Sequence, residues 1–197
     1  MLRILIGSQN PHKQKKLAEM VAGQLEPFIA PKPPQIEETG NTFEEVARNK
    51  ALAYAQWFNG LAISTDGGAV IPALSADEWE PLKTRRFGHT DQERIQELLR
   101  RMRNKDNRTM LWLEAIAIAD PKGVLFSATA QAMDGVIDRS FNPAFYREGI
   151  WLCSITSFPH FGGRNYFELT AAEQEQTEDS WTGLSRMAAE FFKNKVR

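Results

Sequence analysis

The sequence predicts an α/β fold, and two observations carry that prediction. Residues 2–6 form a short, branched, apolar run that gives way to a polar turn and then to apolar positions at helical spacing. A second unit of the same kind follows: a helical pattern from about residue 42 ends at Asn59-Gly60, and the apolar run Leu61–Thr65 comes next. Successive strand–helix units belong to a sheet covered by helices.

The elements follow in order. Leu2-Arg3-Ile4-Leu5-Ile6 reads as a buried strand ending at Gly7. Pro11 after Asn10 suits the first turn of a helix, and Leu17, Met20, Val21 and Leu25 share one face of it. A helix start of this kind leaves backbone N–H groups open to an anion. Residues 27–41, with Pro27, Pro31, Pro33, Pro34 and Gly40, read as a loop with room for a short edge strand. Thr42 caps the next helix, Glu44 and Glu45 suit its first turn, and Asn59-Gly60 stops it. After the strand Leu61–Thr65, Asp66-Gly67-Gly68 reads as a tight turn. Residues 75–90 look irregular. Asp91 caps an amphipathic helix with Ile95, Leu98, Leu99 and Met102 inward. Residues 108–119 and 124–137 read as two strands joined at Asp120-Pro121-Lys122-Gly123. A short helix near 170–178 and a last helix capped by Ser180 or Thr182 complete the chain.

The 197 residues carry 24 Lys+Arg and 25 Asp+Glu, a formal net charge of −1. That balance removes the electrostatic footprint of a protein that coats nucleic acid, so no nucleic-acid partner is expected. The apolar start is too short for a signal peptide. The longest apolar candidate, Met110 to Ala119, is interrupted by Glu114, far from the roughly 20 residues a span needs. No membrane partner is expected, and the chain is read as cytoplasmic. The single Cys153 excludes an internal disulfide and a cysteine zinc cage.

Three clusters could carry chemistry. Ser8-x-Asn10-x-x-Lys13 places a hydroxyl, an amide and an ammonium at a strand-to-helix turn, a set able to hold phosphate oxygens; a capped helix with a surface lysine has the same signature. Glu45 and Lys50 lie on neighbouring parts of one helix surface, as catalytic groups or as solvated charges. Asp66, in Ser64-Thr65-Asp66-Gly67-Gly68, stands at the carboxyl end of a buried strand, where α/β proteins place function and where turn-forming aspartates also occur. His12, His89 and His160 are not at metal-ligand spacing, and Trp151 and Trp181 are candidates either for core packing or for stacking on a base.

In this order the clusters resemble the inosine triphosphatase / Ham1-type nucleoside triphosphate pyrophosphatases. The matching stretches are Gly7-Ser8-Gln9-Asn10-Pro11-His12-Lys13, Glu38-Thr39-Gly40-Asn41-Thr42-Phe43-Glu44-Glu45-Val46-Ala47 and Ser64-Thr65-Asp66-Gly67-Gly68. The resemblance is concentrated in the first 75 or so residues. The family's Gly-Phe-Gly-Tyr-Asp-Pro motif is not found, Ser180-Trp181-Thr182 stands where its purine-reading Ser-His-Arg is expected, and Thr65 replaces the first acid of its acidic pair.

The resemblance implies a fold and a reaction. The fold is a central mixed, twisted sheet flanked by helices, one domain over residues 1–197 with two lobes around a cleft. The reaction is hydrolysis of a nucleoside triphosphate to the monophosphate and pyrophosphate, with an altered base preference. It implies Mg²⁺ on Glu45 and Asp66, Asp66 as the group that orients or deprotonates water, and Ser8, Asn10, Lys13 and Lys50 on the phosphates. With Thr65 in place of an acid, one carboxylate is missing from the expected metal shell. A homodimer is expected, with a small nucleotide as substrate. Two alternatives stand beside the enzyme: a non-catalytic nucleotide-binding protein that keeps the fold, and a dimeric scaffold.

Overall fold

The computed structural model describes residues 2–195, apart from the side chains of Arg85, Arg86 and Lys195. Met1, Val196 and Arg197, part of the expected domain of 1–197, lie outside the described residues. The contacts divide the chain into two compact units. The first holds the chain up to Gly67, Leu113–Ala130 and the last helix from Ser180; the second holds Gly68–Trp112 and Gln131–Asp179.

In the first unit β1 (Arg3–Gly7) lies between β2 (Glu26–Phe28) and β3 (Leu61–Val70) and pairs parallel with both. Then come β4 (Thr109–Asp120) and β5 (Gly123–Gln131), joined by a turn in which Asp120 Oδ1 accepts from the Lys122 and Gly123 amides. Strand alternation sorts the faces. Ile4, Ile6, Ile63, Ile116 and Ile118 pack against α1 (Pro11–Val21) through Leu17, Met20 and Val21. They also meet α5 (Ser180–Lys195) through Trp181, Leu184, Ala188 and Phe192. The opposite face receives α2 (Phe43–Phe58). Its Tyr54 ring lies so close to Gly7 that a Cβ there would meet Cδ2 at 2.5 Å. Helices therefore cover both faces. Thr42 caps α2 by accepting from the Glu45 amide at 3.1 Å, and Asn59 ends it in the left-handed region, φ 52°.

The second unit contains the opening of β4, then β6 (Gly135–Ile137), β7 (Thr156–Phe158) and β8 (Arg164–Asn165), all paired antiparallel. Parallel pairs around β1 and antiparallel pairs here make the sheet mixed, as expected. The core of this unit gathers Ile71, Trp79, Ile137, Trp151 and Ile155 around α3 (Asp91–Arg101), which contributes Ile95 and Leu98. The short α4 (Ala171–Thr177) is capped by Thr170.

Five local expectations change. Helix α1 ends at Val21, so Leu25, expected on its apolar face, lies beyond it while packing into the same core. Asp66-Gly67-Gly68 is not a turn: β3 runs through it to Val70, because Gly67 lets the strand lie close against Leu113 and Glu114 of β4. Thr90, not Asp91, caps α3, in a reciprocal arrangement with Glu93. The expected strand 124–137 breaks at Ala132–Asp134, where Gln131 Nε2 donates to Asp134 Oδ1 at 2.7 Å. Ser180 opens α5 without capping it, since its buried Oγ has no hydrogen-bond partner among the described residues.

Candidate active site

Parallel pairing sets the site. Gly7 of β1 stands opposite Ser64 of β3, and Ser64 Oγ donates to Gly7 O at 2.7 Å. The chain leaving β1 at Ser8 is thus anchored alongside the stretch Ser64-Thr65-Asp66. Ser8 is buried and its Oγ accepts from the Asn10 amide at 3.3 Å. Asn10 Oδ1 accepts from the His12 and Lys13 amides at 2.9 and 3.2 Å, making it the cap of α1. The helix-start amides expected to be open to an anion are therefore partly taken by the chain itself. Gln14 Nε2 donates to Ser8 O at 2.7 Å and closes the turn.

Helical spacing directs the two lysines. Lys13 lies one turn before buried Leu17, so its stem follows the inward face of α1. Lys50 lies between Ala47 and Tyr54 on the buried stripe of α2, leaving its side chain only 12% exposed. Its Nζ is 2.9 Å from Glu38 Oε1 and 3.6 Å from Asp66 Oδ1. Asp66 is 17% exposed. Burial raises its proton affinity above that of an ordinary aspartate; the positive charges of Lys50 and Lys13 oppose the rise, and Glu38 and Glu114 add to it.

Lys13, Lys50 and Asp66 are thus brought into one electrostatic cluster, with Ser8 at its border. Glu45 is placed differently. It is exposed, and its Oε2 accepts from the Asn41 amide at 2.7 Å, tying down the loop before α2. Among the described residues no group of three or more His, Cys, Asp or Glu side chains is arranged to hold a metal ion. The donor chemistry still fits a hard cation: Glu45 and Asp66 are carboxylates, and magnesium commonly uses one or two carboxylates, several waters and substrate phosphate rather than an all-protein cage.

Sequence reasoning passed over Glu114. Its carboxylate is 1% exposed; Oε1 receives Lys13 Nζ at 2.9 Å and the Thr65 hydroxyl at 2.5 Å. The signal was a lone acid inside the apolar run Met110–Ala119. Trp151 and Trp181 prove to be core residues, each 7% exposed, in the second and first unit respectively. His12 and His160 are exposed, and His160 sits edge-on to Phe161. No helix among the described residues is long and apolar enough to cross a membrane.

Comparison with known proteins places the chain's family and fold. Residues 4–146 match the model of the Ham1 family. A dITP/XTP pyrophosphatase of Synechocystis sp. is 34% identical over 145 residues, 71% of this chain and 72% of that protein. One from Gloeobacter violaceus is 35% identical over 140 residues, 70% of each. The solved structure of a HAM1 protein from Coxiella burnetii superposes with a TM-score of 0.78 at 26% identity, covering 96% of this chain and all of that one.

Proposed function

Because the chain belongs to the Ham1 family, we propose that the Lys13–Lys50–Asp66 cluster hydrolyses a nucleoside triphosphate at the α-phosphate with the aid of Mg²⁺. The chain is a nucleoside-triphosphate pyrophosphatase, a hydrolase of acid anhydrides. The observation that carries the finer reading is the approach of Lys50 Nζ to Asp66 Oδ1 at 3.6 Å beside the phosphate turn. Two ammonium groups there supply the positive charge a polyphosphate needs.

Lys13, Lys50, Ser8 and the Asn10 amide group hold the phosphates. Asp66 orients the attacking water and accepts its proton, and burial, which raises its proton affinity, suits it to that role. The water oxygen bonds to the α-phosphorus as the bond to the bridging oxygen breaks, and pyrophosphate leaves. Glu45 and Asp66 would hold the magnesium, which when bound neutralises triphosphate charge and polarises the α-phosphorus. A base preference shifted from dITP and XTP is supported by the missing Gly-Phe-Gly-Tyr-Asp-Pro motif and by the core positions of Trp151 and Trp181, which leave neither ring as a stacking platform. The same reading takes residues 1–197 as one functional domain, cytoplasmic, with a second copy of the chain as its partner.

The test is pyrophosphate release with Mg²⁺ across standard, deaminated and modified nucleoside triphosphates. We expect turnover on at least one, and Asp66→Asn to reduce kcat by roughly 10²–10⁴-fold, the range for removing a general base. A flat panel with nucleotide-induced thermal stabilisation would replace the enzyme with a binder. Full activity in Asp66→Asn would remove Asp66 from its role.

A further inference from the structure

Glu114 lies in β4 among Ala115, Ile116, Ala117, Ile118 and Ala119, each fully buried. A carboxylate in that setting needs partners. Among the described residues it has two, both from segments distant in sequence: the Lys13 ammonium on α1 and the Thr65 hydroxyl on β3. Thr65 Oγ1 also lies 2.7 Å from Ala115 O, so its single proton is shared between Glu114 and β4's own backbone. The space for the carboxylate comes from Gly67, where a Cβ would lie 2.5 Å from Glu114 Cδ.

Stability alone is a poor reason to keep this arrangement. An apolar pair of similar volume is often as stable as a buried ion pair, or more so, because removing two charges from water consumes most of their attraction. The pair is also asymmetric. Glu114 is 1% exposed whereas Lys13 is 18% exposed, so one end is fixed in the sheet and the other reaches the surface beside Asp66. Thr65 is the position where the resemblance leads one to expect the first of two adjacent acids. The carboxylate that position lacks is present one strand away, bonded to the very threonine that replaced it.

We propose that Glu114 is a positioning residue of the phosphate site: from β4 it anchors the Lys13 ammonium beside Asp66, with Thr65 fixing the carboxylate. This rests on the proposed hydrolysis only in taking Lys13 to be a phosphate ligand. Lys13 carries three donors, so it can keep the Glu114 bond and still present N–H groups to a phosphate oxygen. Held at one end, it does not need to be ordered when substrate arrives.

The experiment is a double-mutant cycle on the full chain with Lys13→Met, Glu114→Gln and the pair, read by pyrophosphate release and, independently of turnover, by the affinity for inorganic tripolyphosphate. We expect Lys13→Met to lower kcat/KM and tripolyphosphate affinity at least tenfold when Glu114 is present, and less than threefold in the Glu114→Gln background. Glu114→Gln alone should lower kcat by 10–100-fold with KM within threefold, a split that simple loss of folded protein does not produce. Moving the acid to the neighbouring strand, Thr65→Asp with Glu114→Thr, should recover activity to within about tenfold of the parent. If Glu114→Gln does not fold, Thr65→Val, which replaces the hydroxyl with a methyl, should lower kcat a few-fold with KM within threefold. An additive cycle, with Lys13 mattering equally in both backgrounds, overturns the inference. Failure of the functional reading looks different: no triphosphate turns over, and Lys13→Met leaves tripolyphosphate affinity unchanged.

Discussion

Replacing Gly67 by alanine tests the packing that makes room for the Glu114 carboxylate. The new methyl would overlap Glu114 Oε2 and lie 2.5 Å from its Cδ and 2.6 Å from Leu113 O. The Leu113 carbonyl is backbone of the neighbouring strand and cannot swing away, so Glu114 must move. Overpacking costs about 1–3 kcal/mol. Removing one partner of a buried pair costs about 3–5 kcal/mol, but Lys13 is 18% exposed and can rehydrate, so the upper part of that range is not reached. We expect a loss of about 3 kcal/mol, which for a chain of this size lowers Tm by roughly 6–12 °C. Equilibrium urea unfolding, with an unchanged m-value, gives the free energy directly. Glu114→Ala removes the atoms that the methyl strikes, so the double variant should cost less than the sum of the singles by about 1 kcal/mol or more. A Gly67→Ala protein within about 0.5 kcal/mol of the parent would refute the reasoning.

Three further outcomes are expected. Burial pushes the Cys153 thiol up to about 12, and Glu178 adds to the rise. Alkylation by iodoacetamide at pH 8 should therefore run roughly 30–100-fold slower than for an ordinary cysteine, with higher intrinsic nucleophilicity offsetting part of the lost thiolate. Mass spectrometry should find Cys153 unlabelled in the native protein and labelled in denaturant. Glu97 accepts from Arg100 and Arg101 at 2.7 Å, and these bonds hold its carboxyl down at about 2. A depressed carboxyl contributes stability that is present above its ordinary 4.5 and is lost as pH falls toward about 2, so Glu97→Gln should flatten the acid limb of the stability curve over that window. Because the pair is largely solvated, the effect at neutral pH should stay below about 1 kcal/mol. Asn59 ends α2 at φ 52°, where a β-branched side chain is strained. Asn59→Val should cost about 1–2 kcal/mol, and Asn59→Gly should stay within about 0.5 kcal/mol, both read by thermal unfolding.

The sequence by itself determined the elements whose signals are local. The apolar run before Gly7, the Asn10-Pro11 helix start, the Thr42 cap and the Asn59-Gly60 stop each act within a few residues, and the structure follows them. The same locality marked Lys13, Lys50 and Asp66, because their side-chain chemistry is visible without knowing what they face. What required the tertiary structure was everything decided by one strand lying against another. Two consecutive glycines after Asp66 read as a turn in isolation; beside β4, Gly67 gives the backbone room to lie close, and β3 continues. Glu45 was marked by its chemistry as well, but that its Oε2 also ties down the loop before α2, through the Asn41 amide, shows only in the fold. Glu114 looked like a flaw in an apolar run. Only pairing across 101 positions to Lys13, and 49 to Thr65, supplies the charge and the donor that make its burial tolerable, and no periodicity in a linear sequence encodes such a distance.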